Sequence, residues 1–309
     1  MSRRSWKKVV ELKEKLLLVG DNPFHGISHL SQERSKARIS ISEDPDAAAN
    51  LVCLALNNGA NGFMFSVSET TLATLKKIRE KDEISRLGLY AIVPYAYEYV
   101  RLATQTGGLV GLAKRFSKQL MTSWNLGAIA SGVKGVLGMN PEALLRTYLS
   151  YEISRIKSAA GKNARIESIL LHEVITDMAL ALNLDWLFHV YSSYLLKRDI
   201  TPGFNTCNLP TLVTKLREWD MEVEETFVAT PFNRVGFQMN PSREECEKTL
   251  REMRKPSVVA ISMLAAGYLK LPEATDYLAG LPNVRGVAVG VSNDKHAKET
   301  FRILHEKLR

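Results

Sequence analysis

Apolar residues recur along this chain in short unbroken blocks rather than in strict alternation with polar ones. Leu16–Gly20, Asn61–Val67, Leu87–Val93, Ile166–Leu171, Ile200–Phe204, Thr226–Thr230, Ser257–Ile261 and Val284–Val289 each read as a strand. Each block runs into a polar or proline-bearing cluster and then into an amphipathic stretch. Unbroken apolarity is expected of a strand covered on both faces, as parallel strands between helices are. The helical stretches carry their own start and stop signals. Asp44-Pro45 sets a cap and a first-turn proline before Ala47–Asn58, and Gly59 ends that helix. Ser242–Glu245 reads as a capping box before Cys246–Arg254, and Asp294–Leu308 is a terminal amphipathic helix.

Eight strands, each followed by a helix, predict one α/β domain over residues 1–309, a (β/α)8 TIM barrel. The competing architecture is an open doubly wound sheet. That fold usually carries a glycine-rich first turn, and neither GxGxxG nor GxxxxGK[ST] occurs here. One connection breaks the rhythm. The chain from Tyr95 to Arg165 is far longer than a normal strand-to-helix connection, so residues 95–165 read as a helical insertion after the third strand. At a barrel mouth such an insertion serves as a lid or as a contact in a homo-oligomer. Its glycine-rich centre, Gly127–Gly138, precedes Asn140-Pro141, which opens a helix over Glu142–Lys157.

Composition narrows the class. At 45% hydrophobic and 24% charged, the 309 residues are those of a globular protein. Three scattered cysteines, Cys53, Cys207 and Cys246, exclude a disulfide framework and point to a reducing, cytoplasmic setting. No apolar run with a cleavage site follows the basic N-terminus. The least charged stretch, Leu120–Met139, carries too many glycines for a membrane span. The net charge of +8 comes without a Lys/Arg block interleaved with aromatics, so neither nucleic acid nor membrane is an expected partner. A small-molecule substrate is.

In a barrel of this kind the reacting groups sit at the C-terminal ends of the strands. After the first strand, GDNPFHG places Asp21 four residues before His25. A carboxylate beside an imidazole fixes its tautomer and raises its basicity, although Asp21 equally suits a turn that caps backbone N–H groups. After the fourth strand, ILLHEV places His172 at the rim. Glu173 joins it if the strand ends at Leu171, because adjacent strand residues face opposite ways. Asp177 reads as the cap of the next helix. The fifth segment, GFNTCN, offers Asn205, Cys207 and Asn208. The sixth, TPFNR, offers Asn233 and Arg234 for substrate, the latter as a bidentate clamp or as a surface ion pair. Ser292, Asn293 and Lys295, at the start of the last helix, suit a phosphate or only a plain helix cap. Asp21, His25, His172 and Glu173 together offer imidazole and carboxylate ligands for a divalent metal, without HxH or HExxH spacing.

The run VVAISMLAAGYLKLPEATDYLAGLPNVRGVAVGVSNDKHAKETFRIL resembles the end of an aldo-keto reductase. The seventh-strand turn of that family falls on Ser262–Leu269, including Ser262 and Gly267, and its eighth-strand motif on Val287–Ser292. LLHEVITD is similar to the fourth-strand motif, whose catalytic histidine falls on His172. GFNTCN stands where a Ser-Asn pair contacts the nicotinamide amide, matching at Gly203 and Asn205. The resemblance implies an oxidoreductase that binds NADP(H) and acts on a small carbonyl compound. Three residues of the family's Asp/Tyr/Lys/His tetrad are missing. The aspartate would fall near Phe65-Ser66, the tyrosine soon after, and the lysine near Pro94. Tyr95 or Tyr97 is then the candidate to take the tyrosine's place against substrate. Two other functions stay open: a barrel hydrolase or lyase, with a metal or without, built on Asp21, His25, His172 and Glu173, and a non-catalytic ligand-binding barrel.

Overall fold

The computed structural model describes residues 15–25, 44–95, 140–255 and 257–308. Eight parallel strands follow in order: β1 (Leu16–Gly20), β2 (Gly62–Ser66), β3 (Gly88–Val93), β4 (Arg165–Leu171), β5 (Thr201–Asn205), β6 (Phe227–Pro231), β7 (Val258–Ile261) and β8 (Val284–Gly290). Each pairs with its sequence neighbour, and β8 closes on β1 in the register Leu16↔Gly286 to Gly20↔Gly290. The protein is a closed (β/α)8 barrel.

Nine helices are described around it: α1 (Pro45–Leu56), α2 (Glu69–Glu80), α3 (Pro141–Ala160), α4 (Glu173–Ala181), α5 (Asp185–Leu196), α6 (Leu209–Glu218), α7 (Arg243–Glu252), α8 (Leu271–Ala279) and α9 (Asp294–Lys307). Their starts follow the sequence signals. Asp44 accepts from the N–H groups of Asp46 and Ala47, and Ser242 from that of Glu245. Gly59 follows α1 at φ +109°, a backbone conformation that glycine adopts without steric cost.

The unbroken apolar runs have a direct cause. One face of the strands lines the barrel with Leu16, Leu18, Met64, Tyr90, Ile92, Leu170, Phe227, Ala229, Val259 and Ala288. The other face packs Val19, Phe63, Phe65, Leu89, Ile169, Phe204, Val228 and Val287 under the helices. Each large side chain so buried contributes about 1.5–3 kcal/mol. Both faces are core, so alternation disappears from the sequence.

One connection differs from expectation. Within residues 95–165, the expected helix is α3, which packs against α2 and α5 in the helical ring. The rest of that stretch, 96–139, lies outside the described residues, and Tyr97 with it. Between β4 and β5 the chain forms two helices. Asp177 therefore caps nothing. It lies inside α4, a short helix set on the rim directly after β4. Among the described residues no helix is long and apolar enough to cross a membrane.

Candidate functional site

The chain leaves β1 through Asp21 into a 3-10 turn, Asn22–His25. The turn closes where the Phe24 N–H donates to the Asp21 carbonyl at 2.7 Å, with Phe24 wholly buried beneath it. Asp21 is itself buried, and one carboxylate oxygen takes two partners. Oδ2 accepts from the backbone N–H of Ser66 at 2.6 Å and pairs with His25 Nε2 at 2.9 Å. A carboxylate only accepts, so the bonded ring nitrogen carries the proton. In the neutral ring Nδ1 is then left as the basic atom. The imidazole is held from its face as well. The Tyr95 ring stacks on it at 4.9 Å between centroids, 28° from parallel. Tyr95 comes from β3, two residues past its last strand residue, so His25 reaches over the end of β2 to the end of β3.

His172 stands at the end of the next strand, β4. Its backbone N–H continues the β3–β4 ladder by donating to the Val93 carbonyl at 2.8 Å, two residues before Tyr95. Its side chain caps α4, with Nδ1 accepting from the Val174 N–H at 3.3 Å. An acceptor at Nδ1 puts the proton of the neutral ring on Nε2. The two imidazoles are thus of opposite kind, His25 with a basic Nδ1 and His172 with a donor at Nε2.

Asn205 ends β5 on the barrel-lining side. Gly203, two residues earlier, faces the Leu170 and Ser168 side chains of the interior, and side chains on one strand face repeat every second residue. Asn205 is buried, and its Oδ1 has no hydrogen-bond partner. A buried acceptor without a partner is costly unless a ligand or water supplies a donor.

Other expected site residues are occupied elsewhere. The Asn233 carboxamide closes its own loop, donating to the Phe237 carbonyl and accepting from its N–H, both at 2.8 Å. Arg234 points to the outside of the barrel, 62% exposed and paired with Glu273 at 3.2 Å. Asn208 and Asn293 are caps, accepting from the N–H groups of Thr211 and His296. Glu173 Oε2 lies 3.9 Å from Cys207 Sγ, in the turn after β5. Burial and the carboxylates of Glu173 and Asp177 push that thiol up to about 12, which removes Cys207 as a nucleophile. Lys295 is exposed near Glu299. Ser262 bonds Gln238 at 3.3 Å in a turn where it and Gly267 both adopt positive φ. Ser292 lies half-buried just past β8. Among the described residues no three His, Cys, Asp or Glu side chains group as a metal site needs.

Neither a family model nor a curated protein matches the chain. Solved structures do. A candidate aldo-keto reductase from Pseudomonas aeruginosa superposes with a TM-score of 0.58 over 95% of this chain and 90% of that one, at 14% identity. The likeness is one of fold, a closed (β/α)8 barrel. A candidate sugar phosphate isomerase/epimerase from Anabaena variabilis aligns more loosely, with a TM-score of 0.47, 11% identity, and 96% of this chain and 98% of that one covered.

The ends of two strands bear on the resemblance noted in the sequence. β2 ends at Ser66 and β3 at Val93, so neither strand carries the expected Asp or Lys. A carboxylate nevertheless stands at the end of β2, delivered from β1 by Asp21. Sequence reading missed this contact. It assigned Asp21 to its own loop, and nothing in the order of residues signals a bond to a main-chain group 45 positions away.

Proposed function

We propose that this mouth is an acid–base site for a small carbonyl or hydroxyl compound, and that the protein is an NADP(H)-dependent oxidoreductase. The observation that carries the reading is the buried Asp21–His25 pair, fixed by Ser66 and stacked by Tyr95. Such a pair is what general acid–base work on a substrate oxygen requires. His172 Nε2–H donates a hydrogen bond to that oxygen. His25 Nδ1 takes the hydroxyl proton when an alcohol is oxidised and returns it in the reverse direction. Tyr95 keeps the His25 ring in plane, and Asp21 stabilises the imidazolium that forms.

The residues present fit the cofactor on two grounds. The unpartnered Asn205 Oδ1 matches the N–H of a carboxamide, and Ser292 with the first turn of α9 offers backbone N–H groups to a phosphate. When bound, NADP(H) supplies the hydride that none of the chain's own groups can. The likeness in fold to an aldo-keto reductase supports this choice over other two-electron chemistry. The test is NADPH oxidation against a panel of small aldehydes and ketones, with the native protein and His25→Asn side by side. Turnover that falls at least about a hundredfold in the variant is expected. Turnover unaffected by the substitution, or absent throughout the panel, contradicts the reading.

A further inference from the structure

Asp177 belongs to no expected site, yet its carboxylate ties two rim elements together. It lies in the second turn of α4, five residues after His172. Thr206 Oγ1 donates to Asp177 Oδ1, and the Cys207 N–H donates to Oδ2 at 3.1 Å. Thr206 is wholly buried, and its hydroxyl in turn accepts from the Asn208 N–H at 2.9 Å. One unbroken chain of hydrogen bonds thus runs from α4 through the turn after β5 to the start of α6. At one end is the helix whose first turn His172 caps. At the other is the turn that directly follows Asn205.

The choice of side chain is informative. Burial pushes the Asp177 carboxyl up, and the two donors work against that shift. A helix that needed only packing would place an apolar residue here. Two donors, an O–H and an N–H, call for two acceptors, and only a carboxylate supplies both from one side chain. Val174, Met178 and Leu182 face outward and are exposed, while Ala179 and Leu180 seat the helix in the core and Thr176 Oγ1 donates to the Leu171 carbonyl at 3.3 Å. Apolar seating leaves the helix free to turn slightly about its axis, and the Asp177 carboxylate supplies the directional tie to the turn after β5.

We propose that Asp177 is a positioning residue for His172, holding α4 so that His172 Nδ1 stays on the Val174 N–H and Nε2–H stays directed to substrate. This deepens the acid–base reading of the mouth and rests on the role given there to His172. Its test needs no substrate, so the two can fail separately.

The experiment is proton–nitrogen correlation of the imidazoles in the full-length protein, comparing native with Asp177→Asn. The amide keeps shape and hydrogen-bonding size but has one acceptor for two donors. Native protein is expected to show His172 as the Nε2–H tautomer. In Asp177→Asn, His172 becomes a mixture of tautomers, while the His25 signals stay put. A merely structural loss lowers stability without singling out one ring. Should that variant fail to fold, Thr206→Val removes one of the two donors and is read in the same way. A folded variant of either kind whose His172 tautomer matches the native one overturns the proposal.

Discussion

Asp21 leaves the barrel at the end of β1, yet its carboxylate is bonded at 2.6 Å to the main-chain N–H of Ser66, the last residue of β2. β1 and β2 pair only from Leu18↔Gly62 to Gly20↔Met64, so the Ser66 N–H lies beyond their ladder. The side chain takes the place of a missing strand residue and brings a charge with it. That charge then sets the tautomer of His25 through the second bond on the same oxygen.

Asp21→Asn removes the charge and keeps the acceptor. The amide oxygen in the place of Oδ2 still accepts from the Ser66 N–H and from His25 Nε2–H. Nδ1 stays the basic atom, but the imidazolium loses its counter-charge. Loss of charge assistance at this buried position is expected to cost about 1.5–3 kcal/mol, read as a lower urea midpoint at unchanged slope. Activity, where measured, falls, but less than in His25→Asn, which removes the basic atom itself.

Tyr95 acts through its ring face rather than through a hydrogen bond to His25. Tyr95→Phe is therefore expected to keep most of the turnover, and Tyr95→Ala to lose about tenfold or more as the imidazole loosens. The ratio of the two variants' rates checks this. Equal losses would place the tyrosine hydroxyl in the chemistry instead.

Gly290, at the exposed end of β8, leaves room for the turn that carries His25. A Cβ there would lie 2.7 Å from Pro23 Cδ and 2.9 Å from Cγ. Gly290→Ala must displace the turn, at an expected cost of about 1–3 kcal/mol. Thermal unfolding measures the loss, and chemical shifts of His25 in the folded variant report the displacement. A variant of native stability with unmoved His25 signals contradicts this role.

The thiols give a prediction in pH. Cys207 is pushed up to about 12 and Cys246 to about 11, both first by burial, with carboxylates adding to the rise. A raised thiol pKa keeps the unreactive protonated form. At pH 8 the thiolate fraction of Cys207 is on the order of 10⁻⁴. Disulfide-exchange reagents are thus expected to leave it unlabelled in the native protein and to label it on unfolding. The labelling rate should climb about tenfold per pH unit on the alkaline side. Rapid native labelling at pH 8 is the contrary result.

The barrel was plain in the sequence because its strands are core on both faces. Leu16–Gly20 matches β1 residue for residue, and the other runs meet their strands within one residue at each end. The rim was less plain. α4 opens on His172 rather than on the serine, threonine or aspartate that marks most helix starts, and nothing local distinguishes Asp177 inside it from a cap before the next helix. Asp21 and His25 were legible as a pair because they lie four residues apart in one turn. The bonds from Asp21 to Ser66, from Asp177 to Thr206, and the stacking of Tyr95 on His25 join distant segments, and only closure of the barrel brings them together. Asn233 and Arg234 show the converse. Their polarity suits a ligand, but in the folded chain the Asn233 carboxamide closes its own loop and Arg234 takes the other of its two readings, a surface ion pair.

The most direct measurement is a titration of the purified protein with NADPH, followed by nicotinamide fluorescence, in the native form and in Asn205→Leu. Saturable binding by the native protein, weakened at least about tenfold when the buried acceptor is replaced by an apolar side chain of similar size, is the expected result. No saturable change at millimolar NADPH, or equal affinity in the two proteins, would contradict the assignment of the mouth to this cofactor.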